Sequence, residues 1–136
     1  MTGRSRLAFV VRSGALGGDE ISRRLGLRPT DVSERGEPVS RRHPDRLREW
    51  TTWSLTSPAA QSDVPADHLR ALLPVVEARI PALRRLEAEG ATLFWSYFVV
   101  AKPLGATFGF EPDLLSRLAE VGVSLDFDVY DSDDAG

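Results

Sequence analysis

The chain has no cysteine, one methionine, one lysine and two histidines among its 136 residues. Without cysteine there is no disulfide, no thiolate metal ligand, no iron–sulfur cluster and no thiol nucleophile. The compartment stays open, because a missing cysteine suits either redox environment. His43 and His68 lie far apart in sequence and lack metal-ligand spacing. G-x-S-x-G, a phosphate loop and HExxH are all absent from the sequence. The glycine stretch "GALGG" (14–18) precedes a helix pattern but lacks the G-x-G-x-x-G spacing. Nothing here calls for a cofactor, and none is expected. Long apolar runs are missing too, and none approaches the roughly 20 residues of a membrane helix. The opening "MTGRSRLAFVVRSG" offers only the short apolar run "LAFVV", where a signal peptide needs roughly 7–15 apolar residues. It reads as a first strand, and the expected location is the cytoplasm.

Hydrophobic residues make up 42% of the chain and charged residues 27%, a balance that supports a folded core. The expectation is a single domain over residues 1–131, followed by an acidic flexible tail at 132–136. The net charge of −3 is unevenly spread. Residues 1–48 hold eleven basic and six acidic side chains, whereas residues 111–136 hold one and eight. A basic front and an acidic end can neutralise each other or present two faces to partners.

Along the chain, "SRLAFVVR" (5–12) alternates as a strand, with Leu7, Phe9 and Val11 on one face. "DEISRRLGL" predicts a short helix, capped by Asp19 and ended by Gly26. A short second strand and a turn at Arg35-Gly36 follow. Residues 37–48 contain Pro38 and Pro44 without apolar periodicity and read as a loop. "EWTTWSL" (49–55) reads as a strand with Trp53 on its core face. Asp63 and Pro65 mark a helix start, which places His68 near an exposed helix end. Leu69, Leu72, Leu73, Val76, Ile80 and Leu83 then keep one helical face, and Pro74 and Pro81 predict a kink or two helical pieces before Gly90. "TLFWSYFVVA" (92–101) predicts a covered central strand, and 102–110 a loop or irregular strand. Residues 111–122 predict a helix with Leu114, Leu115 and Leu118 inward. "SLDFDVYD" (124–131) predicts a strand with Leu125, Phe127 and Val129 inward and Asp126, Asp128 and Tyr130 outward.

This order predicts an α+β two-layer sandwich, a mostly antiparallel sheet with helices on one face. "ISRRLGL" and "LLSRLAEVG" echo each other, which suggests duplicated strand–helix–strand units of ferredoxin-like type. Taken in order, "EISRRLGLRPT", "RGE", the "W-S-L" strand, the leucine-rich helix and "GVSLDFDVY" resemble the bacterial family known as domain of unknown function 4279. The similarity spans residues 5 to 131 or so. It implies a small single-domain bacterial protein and supplies no catalytic residues to carry over. The two helix prolines and the arginine-rich stretch 41–48 depart from the pattern.

Candidate chemistry centres on "RGEPVSRRHPDRLREW" (35–50). Arg41, Arg42, His43, Arg46 and Arg48 are dense enough to hold a phosphate by guanidinium forks, and Trp50 and Trp53 can stack on bases. Glu37, Asp45 and Glu49 interleave with them, and the chain as a whole is acidic, which argues against nucleic acid. A solvated connection into a tryptophan strand is the favoured reading. Asp126 and Asp128 share a strand face, with Asp131, Asp133 and Asp134 close in sequence, a weak candidate for Mg²⁺ or Ca²⁺. Outward aspartates also protect a sheet edge, or pair with Arg6 and Arg12 on a neighbouring strand. Whichever of Trp50, Trp95 and Tyr130 is exposed would serve as an aromatic anchor. The expected function is a non-enzymatic module that binds another protein, in an immunity- or antitoxin-like form, or a second copy as a homodimer. The alternative is a sensor holding a small anionic ligand between the long helix and the sheet, through Arg35 or Arg48.

Overall fold

The computed structural model describes residues 4–59, 62, 64–101 and 108–131. In chain order these form β1 (Arg4–Ser13), α1 (Gly18–Leu25), β2 (Asp31–Ser33), β3 (Pro38–Ser40), β4 (His43–Leu47), β5 (Thr51–Thr56), α2 (Pro65–Glu77), α3 (Ile80–Ala88), β6 (Thr92–Ala101), α4 (Pro112–Val121) and β7 (Ser124–Asp131). Five strands make one sheet in the order β2-β5-β1-β6-β7, and β3 and β4 form a separate two-stranded ribbon. The α+β class matches the sequence. The sheet is mixed: β2 and β5 run antiparallel, while β6 and β7, joined through α4, run parallel. Parallel neighbours need such a crossover, and a ten-residue helix supplies it. A helix-spaced leucine pattern thus sits between two strand patterns, and that spacing fixes the local order.

The chain divides into two compact units. The first comprises residues 1–9, 56–78 and 94–136, and the second residues 10–55 and 79–93. In the first, Leu7, Phe9, Leu69, Leu72, Leu73, Val76, Trp95, Tyr97 and Leu114 are buried. Phe9 meets the Trp95 ring edge-on with centroids 4.9 Å apart. In the second, Val10, Val11, Ile21, Leu25, Trp53, Leu83 and Leu86 are buried. The Trp53 indole N–H donates to the Ser22 hydroxyl at 3.0 Å, which satisfies the polar edge of a fully buried ring.

The continuous leucine pattern breaks where the prolines predict. α2 ends at Glu77 and α3 begins at Ile80, with Pro81 in its first turn, where no helical N–H is lost. Each unit holds one helix pair, α2 with α4 in the first and α1 with α3 in the second. Arginine–glutamate bridges join both pairs. Arg117 pairs with Glu77 in the first unit, and Arg24 bridges Glu20 and Glu89 in the second. Both α1 and α4 end in a left-handed glycine, Gly26 at φ 66° and Gly122 at φ 69°. Glycine carries this conformation without the clash a Cβ would bring.

Several expectations are corrected. Asp19 lies in the first turn of α1 and is not its cap; Gly17 holds that position and a distant carboxylate serves it. Residues 37–48 are not a loop but hold the β3–β4 ribbon. His68 is fully buried, with Ser57 and Ser62 against its ring. Its Nε2 faces the Ser62 carbonyl at 3.0 Å, which only accepts, so Nε2 carries the proton and Nδ1 accepts from the Ser57 hydroxyl, also at 3.0 Å. Leu115 is exposed, since α4 buries Leu114 and Val121 instead. Phe127 and Val129 are 42% and 60% exposed. Phe127 does stack on the inward Tyr97, with centroids 5.4 Å apart, but β7 ends the sheet and its side chains are only partly covered. Asp63, the predicted loop over 102–107 and the acidic tail at 132–136 lie outside the described residues.

Candidate functional site

The second unit brings most of the candidate arginines onto one projecting ribbon. Its base is set by Gly36 at φ 88°, whose N–H donates to the Arg48 carbonyl at 2.9 Å, and by the Arg48 N–H donating to the Glu37 carbonyl at 2.8 Å. Above that base Pro38 pairs with Leu47 and Ser40 with His43. Arg41 and Arg42 form the tip. Two-residue hairpins favour turns with positive φ, yet the only positive-φ residues among those described are glycines. The register shift between Pro38 and Ser40 accommodates this turn. Every residue from 38 to 47 is exposed, including Val39 and Leu47.

Below the ribbon, a network built around Glu34 anchors it. The Gly18 N–H, at the start of α1, donates to both Glu34 carboxylate oxygens at 3.0 and 3.3 Å. The Thr51 hydroxyl donates to the same carboxylate at 3.4 Å and accepts the Arg35 N–H at 3.2 Å. The Arg35 guanidinium donates to the Gly14 carbonyl. The Ser13 hydroxyl accepts from Ala15 and Leu16 at 3.1 and 2.9 Å, so the "GALGG" connection is held at both ends. A carboxylate at a helix N-terminus meets unpaired N–H groups and the positive end of the helix dipole. Gly18 is required by close approach, since an added Cβ would lie 2.6 Å from Val32.

Between ribbon and β5 lies a solvent-open groove of about 420 Å³, lined by Val39, Arg46, Leu47, Arg48, Glu49, Trp50 and Thr52. Arg48 reaches across it to donate to the Val39 carbonyl at 3.4 Å. The Arg12 guanidinium sits 5.3 Å from the centre of the Trp50 ring, a cation–π contact that fixes the ring while leaving it 43% exposed.

Of the candidates, Arg46, Arg48 and Trp50 thus meet in one groove, Arg41 and Arg42 sit at the ribbon tip, and Arg35 is engaged in the anchor. Trp53 and Trp95 are buried in the core and present no stacking face. Tyr130 is exposed on β7, in the first unit, against Phe98 with centroids 5.2 Å apart. Arg6 lies over that same Phe98 ring at 5.2 Å, and β6 separates its strand from β7, so it is not a neighbouring-strand partner for the aspartates. Among the described residues no three His, Cys, Asp or Glu side chains gather as a metal site; Asp126 and Asp128 are exposed on β7, and Asp133 and Asp134 of that candidate lie outside the described residues. Sequence reasoning offered Arg12 to the β7 aspartates and not to Trp50, and missed Glu34, because each acts on residues far along the chain. The only visible signal for Arg12 was its place on the polar face of an alternating strand.

Three titratable groups away from this site are tied into the fold. Hydrogen bonds from Arg23 and Arg24 hold the Glu20 carboxyl at about 2, well below its usual value of 4.5. Arg117 lowers Glu77 in the same way. Burial pushes the Tyr97 phenol up, and its hydroxyl donates to the Pro65 carbonyl.

No helix among the described residues is long and apolar enough to cross a membrane. Residues 4–132 match the family model described as Domain of unknown function (DUF4279). No curated protein and no solved structure matches the chain.

Proposed function

We propose that this chain, which belongs to the DUF4279 family, is a protein-interaction module of the bacterial cytoplasm. The observation that carries this reading is the β3–β4 ribbon, exposed throughout and flanked by the Trp50 groove. A two-stranded ribbon with no buried face gains little from folding alone. Val39, Leu47 and Trp50 beside Arg46 and Arg48 combine the aromatic, apolar and guanidinium groups enriched at binding hot spots. An immunity- or antitoxin-like role is one form of such a module. A second reading is capture of a small anionic ligand, expected from the sequence between the long helix and the sheet through Arg35 or Arg48. Here it draws on Arg48 with Arg46 in the ribbon groove, while the Arg35 guanidinium donates to the Gly14 carbonyl.

The test is native mass spectrometry of the tagged chain drawn from its host's lysate, beside Leu47→Asp and Trp50→Ala. A protein partner at fixed stoichiometry, lost in both variants at unchanged melting temperature, supports the module. Bare protein, or a small adduct that survives in Leu47→Asp and is lost in Arg48→Ala, replaces it with the ligand reading.

A further inference from the structure

The second unit carries a basic, partly apolar ribbon, and the first carries an acidic, partly apolar sheet edge. Between residues 38 and 47 the ribbon carries Arg41, Arg42 and Arg46 against Asp45, with Glu37, Arg48 and Glu49 at its base, and Val39 and Leu47 are exposed. Along β7, Asp126 and Asp128 alternate with Phe127 and Val129, no basic residue occurs, and Phe108 lies exposed 6.0 Å from the Phe127 ring centre. β7 is the last strand of the sheet order, so one row of its backbone groups has no strand beside it among the described residues. Exposed, apolar sheet edges are templates for association unless something covers them.

Edge-to-edge pairing of two β7 strands is disfavoured, because it would set aspartate against aspartate. The complement of this edge is a segment with guanidinium groups flanking apolar side chains. The ribbon has that composition. We infer that the β3–β4 ribbon of one copy docks on the β7 edge of a second copy, with Arg41, Arg42 and Arg46 against Asp126 and Asp128 and Val39 and Leu47 against Phe127 and Val129. This rests on the ribbon being an interaction element and names its partner as the chain itself. The contact joins unlike surfaces, so it propagates from copy to copy or closes into a ring.

The experiment is sedimentation equilibrium over a wide concentration range at low and high salt, on the wild-type chain, Arg41→Glu/Arg42→Glu, Asp126→Arg/Asp128→Arg, and a chain bearing all four reversals. The expected result is concentration-dependent association of the wild type that weakens with salt, since charge pairs at a surface are screened. Each double reversal weakens it by at least about tenfold, because like charges then face each other. The fourfold chain regains it, because the signs again match. All substituted side chains are exposed, and equal melting temperatures confirm folding. A wild type that stays monomeric, association that survives either double reversal, or no recovery in the fourfold chain overturns the inference. A monomer that still holds a foreign protein through Trp50 removes the self-docking alone. Self-association with no other partner leaves the ribbon's role confined to its own copies.

Discussion

Arg117 and Glu77 meet as a two-point fork, with the arginine Nε and Nη2 donating to the two carboxylate oxygens at 2.9 and 2.7 Å, and this fork joins α4 to α2. The geometry gives it more than a single-point surface pair, though both side chains remain about one-third exposed. Arg117→Ala is expected to lower stability by about 1 kcal/mol, after discounting for solvent screening. Arg117→Lys keeps the charge and loses the fork, so it should recover only part of that loss. Urea unfolding of both variants, with Glu77→Gln to complete a double-mutant cycle, checks the coupling.

Stability should fall at both ends of the pH scale, for opposite reasons. Glu20 and Glu77 bind protons more weakly in the folded chain than in the unfolded one. Their contribution is full above the usual 4.5 and is lost as pH falls, down to about 2 for Glu20. Tyr97 behaves in reverse: its raised phenol favours the neutral form in the fold, so its contribution is full below 10.0 and lost as pH rises beyond it. Urea midpoints across pH should show both limbs, with Glu77→Gln shallowing the acid one and Tyr97→Phe the alkaline one.

The start of α1 depends on two residues that are distant in sequence. Glu34→Ala removes the carboxylate that accepts from Gly18 and should cost about 1 kcal/mol, as loss of an N-terminal cap does. Glu34→Gln keeps an acceptor without the charge and should cost about half that or less. Gly18→Ala pushes a Cβ against Val32 and should cost about 1–3 kcal/mol. Hydrogen exchange of the α1 amides distinguishes the cases, since cap loss frays the first turn while the clash loosens β2 as well.

His68 is fixed in one tautomer by Ser57 and Ser62. Ser57→Ala leaves a buried ring nitrogen without its donor, at a cost of about 1–3 kcal/mol. His68→Ala should cost at least as much, because it also leaves the Ser62 carbonyl without the ring N–H and opens a void. Calorimetric melting of the two variants ranks them. A nitrogen-15 spectrum of the imidazole should show the proton on Nε2.

Elements resting on local patterns were legible in the sequence. Leu69, Leu72, Leu73 and Val76 mark α2 because helical periodicity and burial coincide there, and Pro81 announced the break before α3 because ring geometry is local. The ribbon was hidden by Pro38 and Pro44 and by the lack of alternation, since a ribbon exposed on both faces has no buried side to impose it. On β7 the alternation of Leu125, Phe127 and Val129 correctly puts Phe127 on the side of Tyr97, but a period of two reports direction and carries no information about coverage. In the candidate site, Arg46, Arg48 and Trp50 stood close in sequence and were found together. Arg12 and Glu34 reach their partners only through the tertiary fold.

The division of the leucine-rich segment between α2 and α3 bears on how the chain is made. All residues of the second unit have been synthesised once residue 93 is complete, whereas the first unit needs residues 1–9 and everything from 94 onward. On the ribosome, the first-unit part of β1 must therefore wait for β6, with Leu7 and Phe9 lacking Trp95 and Tyr97 as companions. Such long waits expose apolar surface and slow folding. Release of the second unit first, with α2 helical but unpacked, would make Leu69, Leu72 and Leu73 the patch a holding chaperone meets.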